Sequence, residues 1–515
     1  MSNIDIPVPQ SRPLNVQPPE RSATQPPAVW KGYEKYLFRV AFIFFVIMSI
    51  PTGSGWYVNL FTIDWTAVHY RDLYDIARFQ PNFLGGGGEG GGPSALYGYA
   101  DWLLILAIAL AGGVIWSLFD RRRLNYNLLY YWLQVIVRYR AAIGIIGFAY
   151  TKVLPVQMPY PSEGLLNTNF GDLTSQKIYW LSISIVPWYQ VFAGIVELTA
   201  GILLLFRKTA TLGAIFLFAA LGDIVYVNLA YDGGVHVYSS YFVLFAAFLL
   251  VKDVPKIYNL LVRERYTAPV NYELQFRQPW LRWARIGLKA AVIYIFLILL
   301  GWVQWENFRY DPYKQPAAKG ITALRGYYEV TEFRLNNQLL PYHPLDSLRW
   351  QQVTFEKWTT LTFKVNRPQR LDLSNGGGSP MRDINRTFEL AGVGGGQRVF
   401  YYEADTVHHV LYLQDKNRSG VARNAPPQPQ FLTADQEYRQ IHESALTTRR
   451  RRGIPRERAR DGGRPRMTLH YETNADGSEV VLRGVDERND SVYVALKRLN
   501  KQYTLSKSSL NAGEY

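Results

Sequence analysis

The side chains best placed to do chemistry in this sequence are ionisable groups set inside apolar runs. Glu197 lies in VFAGIVELTAGILLL, about ten residues from either end of its apolar segment. A lone carboxylate at that depth in hydrocarbon would cost several kcal/mol, so Glu197 must be protonated or paired. Gly194 and Gly201 flank it on neighbouring turns and permit close helix approach. Lys152 and Arg140, on the preceding apolar segment, are candidate partners, and Asp223 is a second carboxylate able to face the same interior. Tyr189 precedes Glu197 on its own segment, and His236 opens a later one. The candidate intramembrane polar site is therefore Glu197, Lys152, Arg140, Tyr189, Asp223 and His236. These groups suit a buried structural ion pair, or a polar pocket for a proton-coupled or headgroup-like ligand.

Other motifs are thinner. Arg138 and Arg140 are two residues apart, so they point to different faces of a helix and could simply snorkel at an interface. His408 and His409 fall in an expected strand, where neighbours alternate sides and cannot easily share one metal. No HExxH, EF-hand loop or GxSxG occurs, and there are no cysteines. That excludes disulfides, CxxC redox pairs and thiolate chemistry. No cofactor is evident. The Asn-x-Ser/Thr triplets at Asn385, Asn417 and Asn489 are expected by chance.

Seven apolar segments would carry the ionisable groups: about 35–51, 101–119, 129–154, 184–206, 209–231, 237–252 and 284–305. Each approaches the roughly 20 residues needed to cross hydrocarbon. With the N-terminus cytoplasmic, 18 basic residues flank the inner ends and 6 the outer ends, which favours that orientation. An odd number of crossings then puts everything after Trp305 outside the cytoplasm. Trp302 and Trp305 fit an outer aromatic belt. Residues 1–29, with seven prolines, read as a disordered tail. Two helices over 30–127 are joined by a long outer loop, whose run Gly85–Gly92 around Glu89 reads as a flexible insertion rather than a phosphate cradle. An amphipathic connection and the last crossing occupy 259–310. No repeated half or matching broken helices support a transporter.

From about 320 the period changes to short, β-branched, aromatic, often alternating runs. These are LRGYYEVTEFRLN, WTTLTFKVN, RTFELAG, RVFYYEAD, HHVLYLQDK, MTLHYET, SEVVLRGVD, SVYVALKRL and QYTLSK. The fold class expected is a multi-domain membrane protein: an α-helical transmembrane bundle followed by an extracytoplasmic all-β domain at 311–515, a small barrel or a sandwich. An Arg-rich insertion at 420–466, including Arg449–Arg452, interrupts that domain. It reads as a solvated loop, with contact to anionic lipid headgroups as the alternative. Nucleic acid is not expected as a partner, because this topology places the loop outside the cytoplasm. The 515 residues carry a formal net charge of +15 and a mean hydropathy of −0.10, an average over two unlike regions.

Residues 128–258 resemble the DoxX family of four-helix membrane proteins. The resemblance lies in the order of features. An arginine-containing helix ends in Gly147, Phe148 and Lys152, and a polar loop with Pro155 and Gly164 follows. A glycine-flanked glutamate helix spans Gly194–Ala214, and the next helix carries Asp223 and Asn228. A Gly233–Gly234 turn leads to HVYSSYFVLFAAFLL. The resemblance implies a four-helix bundle and permits a quinone or small-reductant site near Glu197, Lys152, Tyr189, Asp223 and His236. Two helices before the bundle, and a helix and β-domain after it, depart from the family pattern. The alternative is a non-catalytic accessory or scaffold subunit of a membrane complex, whose β-domain grips a protein partner or lipid. Leu324–Gln338, with its glycine–aromatic start, resembles the opening of lipocalin-like barrels, which often hold one apolar ligand.

Overall fold

The computed structural model describes residues 29–84, 97–265, 267, 278–312, 314–377, 382–418 and 463–507. The expectations for the Pro-rich tail before Val29, for Gly85–Gly92 and for Arg449–Arg452 lie outside these residues.

The helical region begins with α1 (Gly32–Met48), two short helices α2 (Ser54–Phe61) and α3 (Tyr70–Ala77), then α4 (Ala100–Phe119) and α5 (Asn127–Val153). Two short helices, α6 (Glu163–Leu166) and α7 (Ser175–Ser184), lead into α8 (Pro187–Leu205), α9 (Ala210–Ala230) and α10 (His236–Val251). After α11 (Val254–Leu261), α12 (Pro279–Ile293) and α13 (Leu300–Tyr310) form one continuous rod through a π-helical turn at Tyr294–Leu299. Among the described residues, five helical stretches are long and apolar enough to cross a membrane: α4, α5, α8, α9 and the α12–α13 rod. α10 with α11 makes a sixth if the pair, bent by 71°, is one span. The expected segment 35–51 is helical as α1, but its 17 residues reach only about 26 Å against a hydrocarbon thickness of about 30 Å.

The bundle core is built from one face of each helix. Leu133, Val137, Ala141 and Ile145 of α5 meet Ala200 and Leu204 of α8, with Phe242, Phe245 and Leu249 of α10 beside Phe45 of α1. The opposite faces are also apolar: Leu103, Phe192, Trp283 and Leu288 are each more than 60% exposed. A water-soluble bundle would carry charge on such faces, whereas this surface matches hydrocarbon. Glycine sets the closest approach. A Cβ on Gly194 would lie 2.6 Å from the Val153 backbone nitrogen, so α5 and α8 touch through backbone there.

The β-domain is a closed antiparallel barrel. β1 (Gly326–Leu335) turns into the two-residue β2 (Gln338–Leu339) and pairs with β3 (Gln352–Phe355). The meander continues through β4 (Thr360–Lys364), β5 (Gln397–Asp405), β6 (Val410–Asp415), β7 (Arg466–Thr473), β8 (Glu479–Val485) and β9 (Ser491–Arg498). β9 closes on β1, from Tyr328↔Arg498 to Leu335↔Val492, with a register shift between Val330 and Glu332. Eight strands make the barrel and β2 hangs from its rim, so of the two expected architectures the barrel holds and the sandwich does not. Inward-facing residues fill the lumen, with Trp350 stacked on Phe363 at 3.8 Å and Phe363 on Phe400 at 5.4 Å. Tyr328, Phe355, Tyr402 and Leu482 are buried beside them, a packed core where a lipocalin would keep a ligand cavity.

Three expected β runs differ. RTFELAG is not a strand: after a 3-10 turn at Asp383–Asn385 it forms tight turns, because its polar side chains are committed to buried partners, Arg386 to Asp311 and Glu389 to Lys416. QYTLSK ends in a 3-10 turn at Thr504–Lys507, since β9 has already sealed the barrel. His408 and His409 lie in the turn before β6, not in a strand. His408 Nδ1 is 2.7 Å from Asp405 Oδ2, and His409 has a positive φ of 56° and stacks on Tyr471. Asn385 is buried and its Oδ1 accepts a hydrogen bond from Arg464 at 2.6 Å, so in the folded chain this triplet cannot carry a glycan.

Candidate functional site

Two polar centres emerge from this scaffold. The first lies in the bundle. α5 and α8 pack closely at Gly194, and Lys152 and Glu197 meet one turn further along, Lys152 Nζ donating to Glu197 Oε1 in a buried ion pair. Glu197 Oε2 is buried and has no hydrogen-bond partner. Gln190, about two turns before Glu197 on α8, is fully buried and clamps Met158, accepting from its N–H at 2.9 Å and donating to its carbonyl at 3.1 Å. Gln190 thus pins the chain that follows α5 to α8.

The remaining candidates go elsewhere. Arg140 is buried on α5, but its guanidinium donates to the carbonyls of Ala77 (3.0 Å) and Phe79 (2.5 Å), at and just beyond the end of α3. It also stacks over the Phe79 ring at 3.8 Å. Tyr189 is 57% exposed, and Asp223 is exposed on α9. His236 is half-buried at the start of α10, its ring 5.9 Å from that of Tyr99. Of the six residues, the structure brings together Lys152 and Glu197. Among the described residues no cluster of three or more His, Asp or Glu could hold a metal.

The second centre is the junction between the bundle and the barrel. The loop from Pro155 to Ser184 lies against the outer wall of β3, β4 and β5. Ser162 caps α6, its Oγ accepting from Leu165 N. Glu356, at the β3–β4 turn, completes the cap from the barrel side: its two carboxylate oxygens accept from Gly164 N (2.8 Å) and Glu163 N (3.1 Å). Burial pushes the Glu356 carboxyl up to about 7, against the opposing pull of those two N–H groups. Further along, Thr168 donates to Gln397, Asn167 donates to Tyr503, and Lys364 pairs with Asp172 at 3.1 Å. A short bridge joins Leu173 to Val393.

Behind this contact lies a buried ionic layer. Arg386 pairs with Asp311 at 2.6 Å, both side chains fully buried. Lys416 pairs with Glu389 at 2.9 Å, and Glu389 also accepts from Trp358 Nε1 at 2.6 Å. Arg464 donates to the Asp415 carbonyl at 2.7 Å. Lys177 donates to the Phe388 carbonyl and Lys314 to the Asn375 carbonyl, and burial pushes both amines down to about 7. A cleft of about 370 Å³ opens at the edge of this layer. Its walls include Tyr160, Phe308 and Trp358, with Glu356 in the wall and Arg309 and Arg325 exposed at its margin. Aromatic walls with convergent charges suit an amphiphilic ligand or a peptide side chain.

Sequence reasoning missed this junction. Lys177 and Lys314 counted only as flanking charges, and Glu356 fell between two expected strands. The available signal was the rigid Pro155-Pro159-Pro161 loop ending in the Ser162 cap. What pairs it with Glu356, 193 positions from Glu163, is tertiary.

A helical bundle with an apolar outer surface, carrying a closed antiparallel β-barrel on one end, is the class of protein that these features define. A relative, the uncharacterized protein YwoB of Bacillus subtilis (strain 168), is 31% identical over 104 residues, covering 18% of this chain and 68% of YwoB. The chain belongs to the family of that protein. No family model matches the chain, and no solved structure does.

Proposed function

We propose that this chain is a multi-pass membrane scaffold, N-terminus cytoplasmic with α1 and α10 as its two shortest crossings, that holds its barrel on the outer face of a cell membrane as an accessory subunit of a membrane complex. The observation that carries the reading is the junction. A freely tethered domain needs no buried ion pairs to its anchor, and here Arg386–Asp311 ties the barrel's outer wall to the exit of α13. A fixed barrel presents one constant surface to a partner, which is what a scaffold requires. The orientation rests on the excess of basic flanks at the opposite end and on Trp302 and Trp305 at the barrel end. The test is mild solubilisation of native membranes followed by size and subunit analysis of the tagged full-length chain. A stoichiometric complex is expected, and Arg386→Leu with Asp311→Leu should reduce its recovery. A monodisperse lone chain would defeat the reading.

A second reading has one observation in its favour. Glu197 Oε2 is buried without a partner beside Lys152, an arrangement able to exchange a proton with a quinone or small reductant, as the DoxX resemblance implies. Wild-type quinone reduction by Glu197→Gln in purified membranes would remove it.

A further inference from the structure

The end of the bundle remote from the barrel carries a second, larger cavity that neither reading uses. It has a volume of about 730 Å³ and lies between the first half of α5, the α8–α9 turn and the break between α10 and α11. From Arg138, its innermost α5 residue, the rest of α5 to Val153 separates it from the barrel-side end by about 22 Å, at about 1.5 Å per residue.

The lining has two parts. Arg138, Arg207, Lys208, Lys252 and Lys256 supply five cationic groups, against the one carboxylate of Asp253. That carboxylate is already committed, to Lys256 at 2.9 Å and to Thr211 Oγ1 at 2.7 Å. Lys252 reaches across to Gln134 Oε1 at 3.0 Å, joining α10 to α5 over the cavity. Arg138 comes from the wall, eleven residues inside α5, and its Nε is buried with no hydrogen-bond partner. The second part is apolar: Val135, Leu249, Ile257 and Leu260 line the same cavity. α11 bends away from α10 by 71° and exposes Val254, Tyr258, Leu260 and Leu261, as a helix lying in a membrane interface would.

Scattered basic flanks would satisfy an orientation rule with their charges in open water. Here they converge on a concave site whose floor is apolar, and one of them is half-sequestered without its full complement of acceptors. That combination recognises a tetrahedral dianion or monoanion attached to a hydrocarbon chain. We infer that this cleft binds a phosphate-bearing anionic amphiphile, with the phosphate among Arg138, Arg207, Lys252 and Lys256 and the chain along Val135, Leu249 and Leu260. Two sources share that chemistry, a membrane phospholipid and a free phosphate ester.

The test uses the full-length chain in detergent, with native mass spectrometry to count retained ligands. The probes are dioleoyl phosphatidylglycerol, dioleoyl phosphatidylcholine, glycerol phosphate and inorganic phosphate. Retention of phosphatidylglycerol at least tenfold over phosphatidylcholine is expected, and Arg138→Gln with Lys252→Gln should cut it at least tenfold. Arg309→Gln with Lys357→Gln, at the barrel-side cleft, should leave it unchanged. Glycerol phosphate retained as well as the lipid would assign a soluble phosphate ester to the site. Phosphatidylglycerol alone would assign a lipid. Equal retention of the two lipids with no phosphate retained overturns the inference. Should the double variant not fold, a photoactivatable phosphatidylglycerol on the wild-type chain decides. Labels on 127–138, 207–211 and 249–261 support the site, and labels spread over the apolar faces of α4 and α9 overturn it.

Discussion

The two buried ionic centres of this molecule solve one problem in opposite ways. In the bundle a single pair, Lys152–Glu197, is enclosed by apolar helices, and one carboxylate oxygen is left without a partner. At the junction, charges are layered: Glu389 is shared by Lys416, Trp358 and Thr360, and Arg398 is shared by Asp415 and Glu487. A lone pair has no reserve when one member is lost. A layered network can redistribute its hydrogen bonds, at the expense of desolvating many more groups. The bundle isolates one pair in an apolar shell, whereas the junction contains groups whose charge changes near neutrality.

The sharpest way to break this contrast is at Glu197. Glu197→Leu leaves the Lys152 ammonium buried without a counter-charge and should cost about 3–5 kcal/mol, while adding Lys152→Met should recover most of it. Thermal unfolding in detergent measures both. If the single and double variants unfold alike, the pair is not coupled. Next in size is the pH dependence of the junction. Glu356 stands at about 7 when folded against an ordinary 4.5, so the folded state holds the extra proton between those values. Its contribution is complete below pH 4.5 and fades as pH rises to about 7. Lys177 and Lys314 stand at about 7 against 10.5, so their contribution is complete above pH 10.5 and is lost as pH falls to about 7. Barrel docking should thus be weakest near pH 7, read as the rate of proteolytic release of the barrel from the bundle. Glu356→Gln should flatten the acid side by about 3 kcal/mol and leave the alkaline side.

A steric change separates the two centres differently. Gly194→Val drives a side chain into the Val153 and Lys152 backbone and should cost about 1–3 kcal/mol in the bundle without altering the junction's pH profile. The smallest effect expected is Asn167→Ala. It removes the hydrogen bond to Tyr503 at 2.7 Å and the one from Lys501 at 2.9 Å, and should lower the midpoint of barrel release by only about 1 kcal/mol.

What the sequence made legible follows from which forces act locally. The apolar segment 101–119 appears as Ala100–Phe119 because continuous hydrophobicity over one crossing length admits few other solutions. Strands such as SVYVALKRL carry their own alternation and appear as Ser491–Arg498. The Lys152–Glu197 pair was legible because one acid in an apolar helix needs a base at the same depth. Arg140 was not, since its partners are the backbone carbonyls of Ala77 and Phe79 at the end of α3, and a carbonyl acceptor leaves no mark in the residue types. Nor was barrel closure, because the β1–β9 pairing that separates a barrel from a sandwich leaves no mark within either strand. Four-residue β3 was too short to announce itself.

The seam between β1 and β9 has a consequence for how the chain is made. Tyr328 waits for Arg498, so 170 positions must be synthesised before the cylinder can shut. Helices formed one after another can pack as they emerge, while the cylinder stays an open sheet with two raw edges until β9 is translated. A ribosome stalled before Ser491 would leave a finished bundle bearing an adhesive, unsealed sheet. Quality control should therefore fall hardest on the stretch that supplies β9, Ser491–Arg498.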